Sequence, residues 1–241
     1  MKLEFDKDGE RLYETGVSKC VLFVKDKTGY RSGVAWNGIT AANEQPEGGE
    51  ANKVYADNIT YATMYSTESF KGTVEALFTP SEWKECDGRK SLGNIKGLTV
   101  GQQRRSTFAL CYRTEIGSDD IEPGSSGAPY KLHIWYNCKA SPSEHGHATN
   151  SESTEADTLS YEINTTPFGE FTVNGEVYKN VANVTIDTRE LTESELANLS
   201  KVEDYLYGTA TTDSKLLLPE EVFAVISTGK LPEEVGEQTG N

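Results

Sequence analysis

Apolar and polar residues alternate with a period of two over much of this chain. In the clearest run Val74, Ala76 and Phe78 interleave with Thr73, Glu75 and Leu77, and only Leu77 breaks the pattern. Successive side chains of a strand point to opposite faces, so this run predicts a strand with one face on a core. The same alternation returns in Phe108, Leu110 and Tyr112, in Leu132, Ile134 and Tyr136, and in Leu159, Tyr161 and Ile163. Residues 17–24, 34–40, 59–65 and 181–186 are rich in β-branched and aromatic types and add weaker strand candidates. About eight strands predict a mainly β fold, a two-sheet antiparallel β-sandwich or barrel.

The period changes near the C-terminus. Thr192 and Glu195 have capping-box spacing, Leu196, Leu199, Val202 and Leu206 form an apolar stripe, and Gly208 can close the segment. These features predict one flanking helix docked through that stripe. A shorter helix is expected from Pro219 through Val222, Phe223 and Ile226, with no evident partner surface. The reading divides the chain into a β domain with its helix, residues 1–208, and a C-terminal extension, 209–241, whose end from 227 onward is expected to fray. Residues 41–57, 79–105, 115–128 and 139–157 read as long irregular connections, of the kind that carries function or orders against another molecule.

Charge narrows the function classes. Of 241 residues, 38 are Asp or Glu and 23 are Lys or Arg, a net charge of −15. That balance excludes a protein that wraps duplex DNA through phosphate contacts. No stretch approaches the roughly 18 apolar residues of a membrane span, so no membrane partner is expected. The opening MKLEFDKDGERLYETG has no apolar leader core, which predicts synthesis in the cytoplasm and reduced cysteines at positions 20, 86, 111 and 138.

The sequence carries little recognisable chemistry. His145 and His147 with Cys138 are the nearest approach to a metal set, but their spacing matches no zinc pattern and a solvated loop is the simpler reading. His133 falls between Leu132 and Ile134, where a polar-face residue is expected before a catalytic base. Glu75 and Glu162 could serve as a glycosidase pair, but among 38 acidic residues such a pair arises by chance. No catalytic residue, metal or cofactor is therefore expected.

Several blocks in order carry a resemblance: GVAWNGIT at 33–40, NEQPEGGEANKVYADN at 43–58, EALFTPSEWKECDG at 75–88, GLTVGQQRRSTFALCYRTEIGSD at 97–119, YKLHIWYNCKASPSE at 130–144, DTLSYEINTTP at 157–167 and EDYLYG at 203–208. Over roughly residues 15–208 the chain resembles the major tail tube proteins of long, non-contractile-tailed phages and prophages of Gram-positive bacteria. The resemblance implies a β-sandwich with a flanking helix, six copies to a ring, and rings stacked into a hollow tube located in the virion tail. It implies as partners other copies of the chain, a tape measure protein in the lumen, a tail-tip or baseplate initiator and a terminator, with DNA passing through without specific binding. It places Glu44, Gln45, Pro46 and Glu47 in a long loop that reaches the neighbouring ring. An acidic lumen would repel DNA and let it slide, and Glu75 and Glu162 are candidates to line it. The competing expectation is a β-sandwich module binding glycans or surfaces through Trp36, Trp135 or the many tyrosines.

Overall fold

A computed structural model describes residues 5, 7–66, 68–147, 149 and 156–232. Its elements are β1 (Tyr13–Val24), β2 (Val34–Ala35), β3 (Ile39–Glu47), β4 (Ala51–Ala56), β5 (Ile59–Tyr65), β6 (Ser69–Ala76), α1 (Trp83–Cys86), β7 (Lys90–Leu92), β8 (Ile95–Val100), β9 (Phe108–Gly117), β10 (Tyr130–Ala140), β11 (Leu159–Thr165), β12 (Glu170–Val173), β13 (Glu176–Lys179), β14 (Asn183–Asp187), α2 (Glu193–Tyr207) and α3 (Pro219–Thr228).

The fold is mainly β and antiparallel, as the alternation predicts. Eight strands join in the order β2-β1-β9-β10-β11-β6-β3, with β14 also pairing β10. Strand β10 belongs to two layers. Lys131 to Trp135 pair with β14, whereas Cys138 to Ala140 pair with β11. Between them the register with β9 slips, and Asn137 takes φ 46°. This bulge bends β10 and turns one ladder into a sandwich. β2, β1, β9, β10 and β14 form the first layer; β11, β6 and β3 form the second.

Side-chain parity then fills two cores. Leu22, Leu110, Trp135 and Cys138 of the first layer meet Phe70, Val74, Tyr161 and Ile163 of the second. Val21, Phe23, Cys111, Leu132, Ile134 and Tyr136 point the other way, under the helices. The first layer is covered on both faces where the alternation predicts one, and its strands accordingly carry near-continuous apolar runs, CVLFV and FALCY. All four cysteines are free and buried.

The capping box of α2 forms: Glu195 Oε2 accepts from the Thr192 backbone N–H at 2.8 Å, and Thr192 Oγ1 accepts from the Glu195 N–H at 3.4 Å. Leu199, Val202 and Leu206 are buried against the sheet. Leu196 corrects the expected stripe, because it is 45% exposed. It lies in the first turn, and Leu191, just before the cap, packs against the core at that end instead. The partner of α3 is α2: Val222 and Val225 enter the same core, and Asn198 Nδ2 and Lys201 Nζ donate to the Ile226 and Gly229 carbonyls at 3.0 and 3.2 Å. These bonds satisfy carbonyls that the end of α3 leaves open. The expected fraying does not begin at 227, since α3 runs to Thr228 and Gly229 closes it at φ 73°; the rest of that expectation falls on residues 233–241, which lie outside the described residues.

Two of the expected irregular connections are ordered hairpins. Residues 41–57 continue as β3, pair with β6 from Ala41↔Glu75 to Glu47↔Ser69, and run on into the β4–β5 ladder. Residues 79–105 hold α1 and the β7–β8 hairpin.

Candidate functional site

β3, β4, β5 and β6 form one long antiparallel arm. Its base, β3 with β6, belongs to the sandwich, and its outer half, β4 with β5, extends beyond it. The two halves are joined by the Ser66 N–H donating to the Glu50 carbonyl at 3.1 Å and the Glu50 N–H donating to Ser66 Oγ at 3.1 Å. Asp57 and Asn58 close the tip at φ 52° and 62°, the doubly left-handed turn whose twist matches a two-residue hairpin.

The outer half has almost no internal cover. Val54, Tyr55, Ile59, Tyr61, Met64 and Tyr65 are 40–73% exposed. Strand parity puts Tyr61 and Tyr65 on one face and Val54 and Met64 on the other. A lone two-stranded ribbon is marginal in water, and this one presents apolar surface on both sides. The β7–β8 hairpin repeats the feature with Leu92, Ile95 and Leu98, 47–62% exposed.

Glu44, Gln45, Pro46 and Glu47 are not in a loop; they are the last residues of β3, in register with Gly72, Lys71, Phe70 and Ser69. Their parity separates them. Gln45 and Glu47 face outward, and Glu47 pairs with Lys71 at 2.7 Å. Pro46 and Glu44 face inward. Glu44 Oε1 accepts from Tyr112 Oη at 2.9 Å, His133 Nδ1 at 3.1 Å and Trp135 Nε1 at 3.1 Å. Pro46 and Glu44 also line a cleft of about 380 Å³ against Phe70 and residues 180–183.

Around Glu44 a polar network crosses the open end of the sandwich. Tyr112 and His133 stack at 4.7 Å and 5°. His133 Nε2 lies 3.0 Å from Thr114 Oγ1, which donates to Glu14 Oε1 at 2.6 Å, and Glu14 pairs with Lys131. Burial works to raise the Glu44 carboxyl, but the bonds from His133, Trp135 and Tyr112 outweigh it and hold it below its ordinary value. The order Thr114, His133, Glu44 has the spacing of a nucleophile, base and orienting acid. The Thr114 proton is committed to Glu14, however, and His133 is 7% exposed beneath Tyr112. The network ties β3 to β9 and β10. The polar-face residue expected at His133 is instead a buried clamp.

Glu75 and Glu162 stand on the outer face of the second layer, Glu162 exposed and Glu75 partly covered. They sit diagonally, Glu75 opposite Ser160 and Glu162 opposite Thr73. With Asn43, Gln45, Glu47 and Lys71 they give a flat polar sheet face without an aromatic side chain. Cys138, His145 and His147 do not come together. Cys138 is in the core, His145 lies edge-on to Tyr161 with Nε2 3.5 Å from Asp87, and His147 is exposed near Asp157. Among the described residues no group of three His, Cys, Asp or Glu gathers as a metal site. Nor do Trp36 and Trp135 form a glycan platform, because both are sealed in the core, 2% and 0% exposed. No helix of the described residues is long and apolar enough to cross a membrane.

The sequence does not display the exposed apolar arm, because residues 41–57 read as a loop although 59–65 read as a strand. The hairpin of β12 and β13 was missed too. Its signal was Asn174-Gly175 between short apolar runs, a pair that favours a left-handed two-residue turn, and the two residues adopt φ 51° and 83°. No protein family model matches the chain, and no curated protein matches it.

Proposed function

We propose that this chain is a structural subunit, the major tail tube protein of a long non-contractile phage tail, which polymerises into stacked hexameric rings and performs no catalytic turnover. One observation carries the reading: the β4–β5 half of the arm projects from the body with large apolar side chains on both faces. Such a ribbon is built to be covered by something outside the chain, and in a ring of identical copies the cover is the neighbour.

Magnitudes favour a repeated contact over a simple dimer. Burying six such side chains stabilises by on the order of 10 kcal/mol. Association of two molecules costs roughly 4–15 kcal/mol in lost freedom. A single arm therefore gives a weak contact, and a closed ring, in which every copy both gives and receives an arm, gives a stable one.

In this reading the polar outer face of β3, β6 and β11, with Glu75 and Glu162, lines the lumen and holds passing DNA off the wall by like-charge repulsion. The tape measure protein occupies the lumen during growth, a tail-tip or baseplate complex starts it and a terminator ends it. The site of action is the virion tail.

A second reading has a specific observation behind it: Tyr55, Tyr61 and Tyr65, 67–73% exposed, are also what a glycan-binding β module would present. Replacing all three with Ser separates the two. The tube reading predicts a folded monomer that forms no tubes; tubes of normal length from this variant, with loss of binding on a glycan panel, would transfer the tyrosines to the second reading.

A further inference from the structure

Charge in this acidic chain is segregated along the strands. Strands β1, β9 and β10 run the length of the first layer; one end holds the start of β1 and the close of β9, and the other holds the end of β1 and the start of β9. Twelve residues of β1 separate the ends by about 40 Å.

The second of these ends is basic. Two clefts of about 580 and 420 Å³ adjoin there, sharing Glu85, Arg104 and Ser106 in their walls. Nine of the lining residues are Lys or Arg, and two, Asp26 and Glu85, are acidic. The acids are already engaged: Asp26 accepts from the Thr28 backbone and hydroxyl, and Glu85 holds Arg31 at 2.9 Å. Among the described residues Lys27, Lys90 and Arg104 have no acidic partner. Arg105 Nε is sealed from solvent in the same wall without a hydrogen-bond acceptor.

The first end is acidic. Asp8, Glu10, Asp119, Asp120, Glu122 and Glu190 are exposed around the start of β1, the close of β9 and the turn that follows β14. Asp119 ties the 8–10 segment to this end by accepting from the Gly9 N–H at 3.1 Å. The cations of this end include Lys131, Arg189 and Arg11, which face Glu14, Asp187 and Asp8; Lys7 is also there, and the acids remain in excess.

We infer that the basic end formed by Lys27, Lys90 and Arg104 docks on the acidic end, Asp120, Glu122 and Glu190, of a second copy, so that copies stack head to tail along the strand direction. This rests on the tube reading, whose family implies head-to-tail rings, and adds the residues and the chemistry of the ring-to-ring contact. A second copy is the occupant because the chain itself carries the complementary surface at the opposite pole, where translation along the strands presents it. Opposed charges at this spacing steer and register the contact, and salt screens them.

The test is a charge swap. In one variant Lys27→Glu, Lys90→Glu and Arg104→Glu make both ends acidic; in the other Asp120→Lys, Glu122→Lys and Glu190→Lys make both ends basic. All six side chains are at the surface, and circular dichroism with a thermal melt checks that each variant folds. In sedimentation velocity at low salt each variant alone is expected to go no further than a single ring, with no stacks. The 1:1 mixture is expected to associate at least about tenfold more tightly than either alone, and to lose about tenfold in affinity between about 50 and 500 mM NaCl.

A mixture that does not associate overturns the docking. Wild-type tubes together with tubes from either variant alone overturn it while leaving the tube reading intact. Paired variants beside a wild type that never forms rings or tubes would instead overturn the tube reading and keep the docking. Binding of a short DNA duplex to the wild type at physiological salt, abolished in the first variant, would reassign the basic end to a polyanion and overturn the docking.

Discussion

Glu44 and His133 lie 89 positions apart in sequence and 3.1 Å apart in space, Glu44 Oε1 accepting from His133 Nδ1. The bond fastens the base of the arm to the centre of the first layer. Its strength comes from sharing: the same carboxylate oxygen also accepts from Tyr112 and Trp135, so a single side chain serves three donors.

Glu44→Ala leaves those three donors without their acceptor. Hydrogen bonds to a charged group contribute more than neutral ones, but the Glu44 side chain is 31% exposed and water replaces part of the loss. The expected cost is about 1–2 kcal/mol, read from the urea midpoint at constant slope. An unchanged midpoint would show that the network is ornamental.

The same site sets a pH dependence. The folded Glu44 carboxyl is held below its ordinary 4.5, so the unfolded chain binds the proton more tightly. The contribution is then complete above about 4.5 and is lost as pH falls through the folded value. The stability difference between wild type and Glu44→Gln should shrink as pH falls below about 4.5. A difference that widens on acidification would contradict the assignment. Glu14, also lowered because the bonds from Lys131 and Thr114 outweigh its burial, should follow the same sign.

Gly72 lies opposite Glu44, beneath the Trp135 ring. A Cβ there would stand 2.5 and 2.6 Å from ring carbons and 2.9 Å from the Asn43 carbonyl oxygen. Gly72→Ala should destabilise by about 1–3 kcal/mol through overpacking. Adding Trp135→Leu should relieve the ring clash, so that the double variant loses less than the two single losses combined.

Leu196 and Leu199 test which residues of α2 hold the helix. Leu199, 1% exposed, should cost about 2–5 kcal/mol when changed to Ala. Leu196→Ala should stay within about 0.5 kcal/mol. Equal losses would restore the stripe as the sequence presents it.

Legibility followed the physics of each signal. β5 and the cap of α2 could be read directly, because strand composition and a capping box are local. The pairing of β3 was hidden by Pro46, Gly48 and Gly49, which read as a loop; Pro46 pairs with Phe70 in the ladder, and the two glycines fall in the short link between β3 and β4. His133 looked like a surface residue because its partners, Glu44 and Glu14, come from distant strands. The alternation in β9 and β10 concealed that both faces are covered, since covering one of them requires α2 and α3, which lie far along the chain.

Self-assembly through the arm is tested most directly by negative-stain electron microscopy of the concentrated protein. Wild type should give rings or hollow tubes of uniform width, and the Tyr55→Ser, Tyr61→Ser, Tyr65→Ser variant should give only dispersed, folded monomers. Dispersed monomers from both proteins, or identical tubes from both, would contradict it.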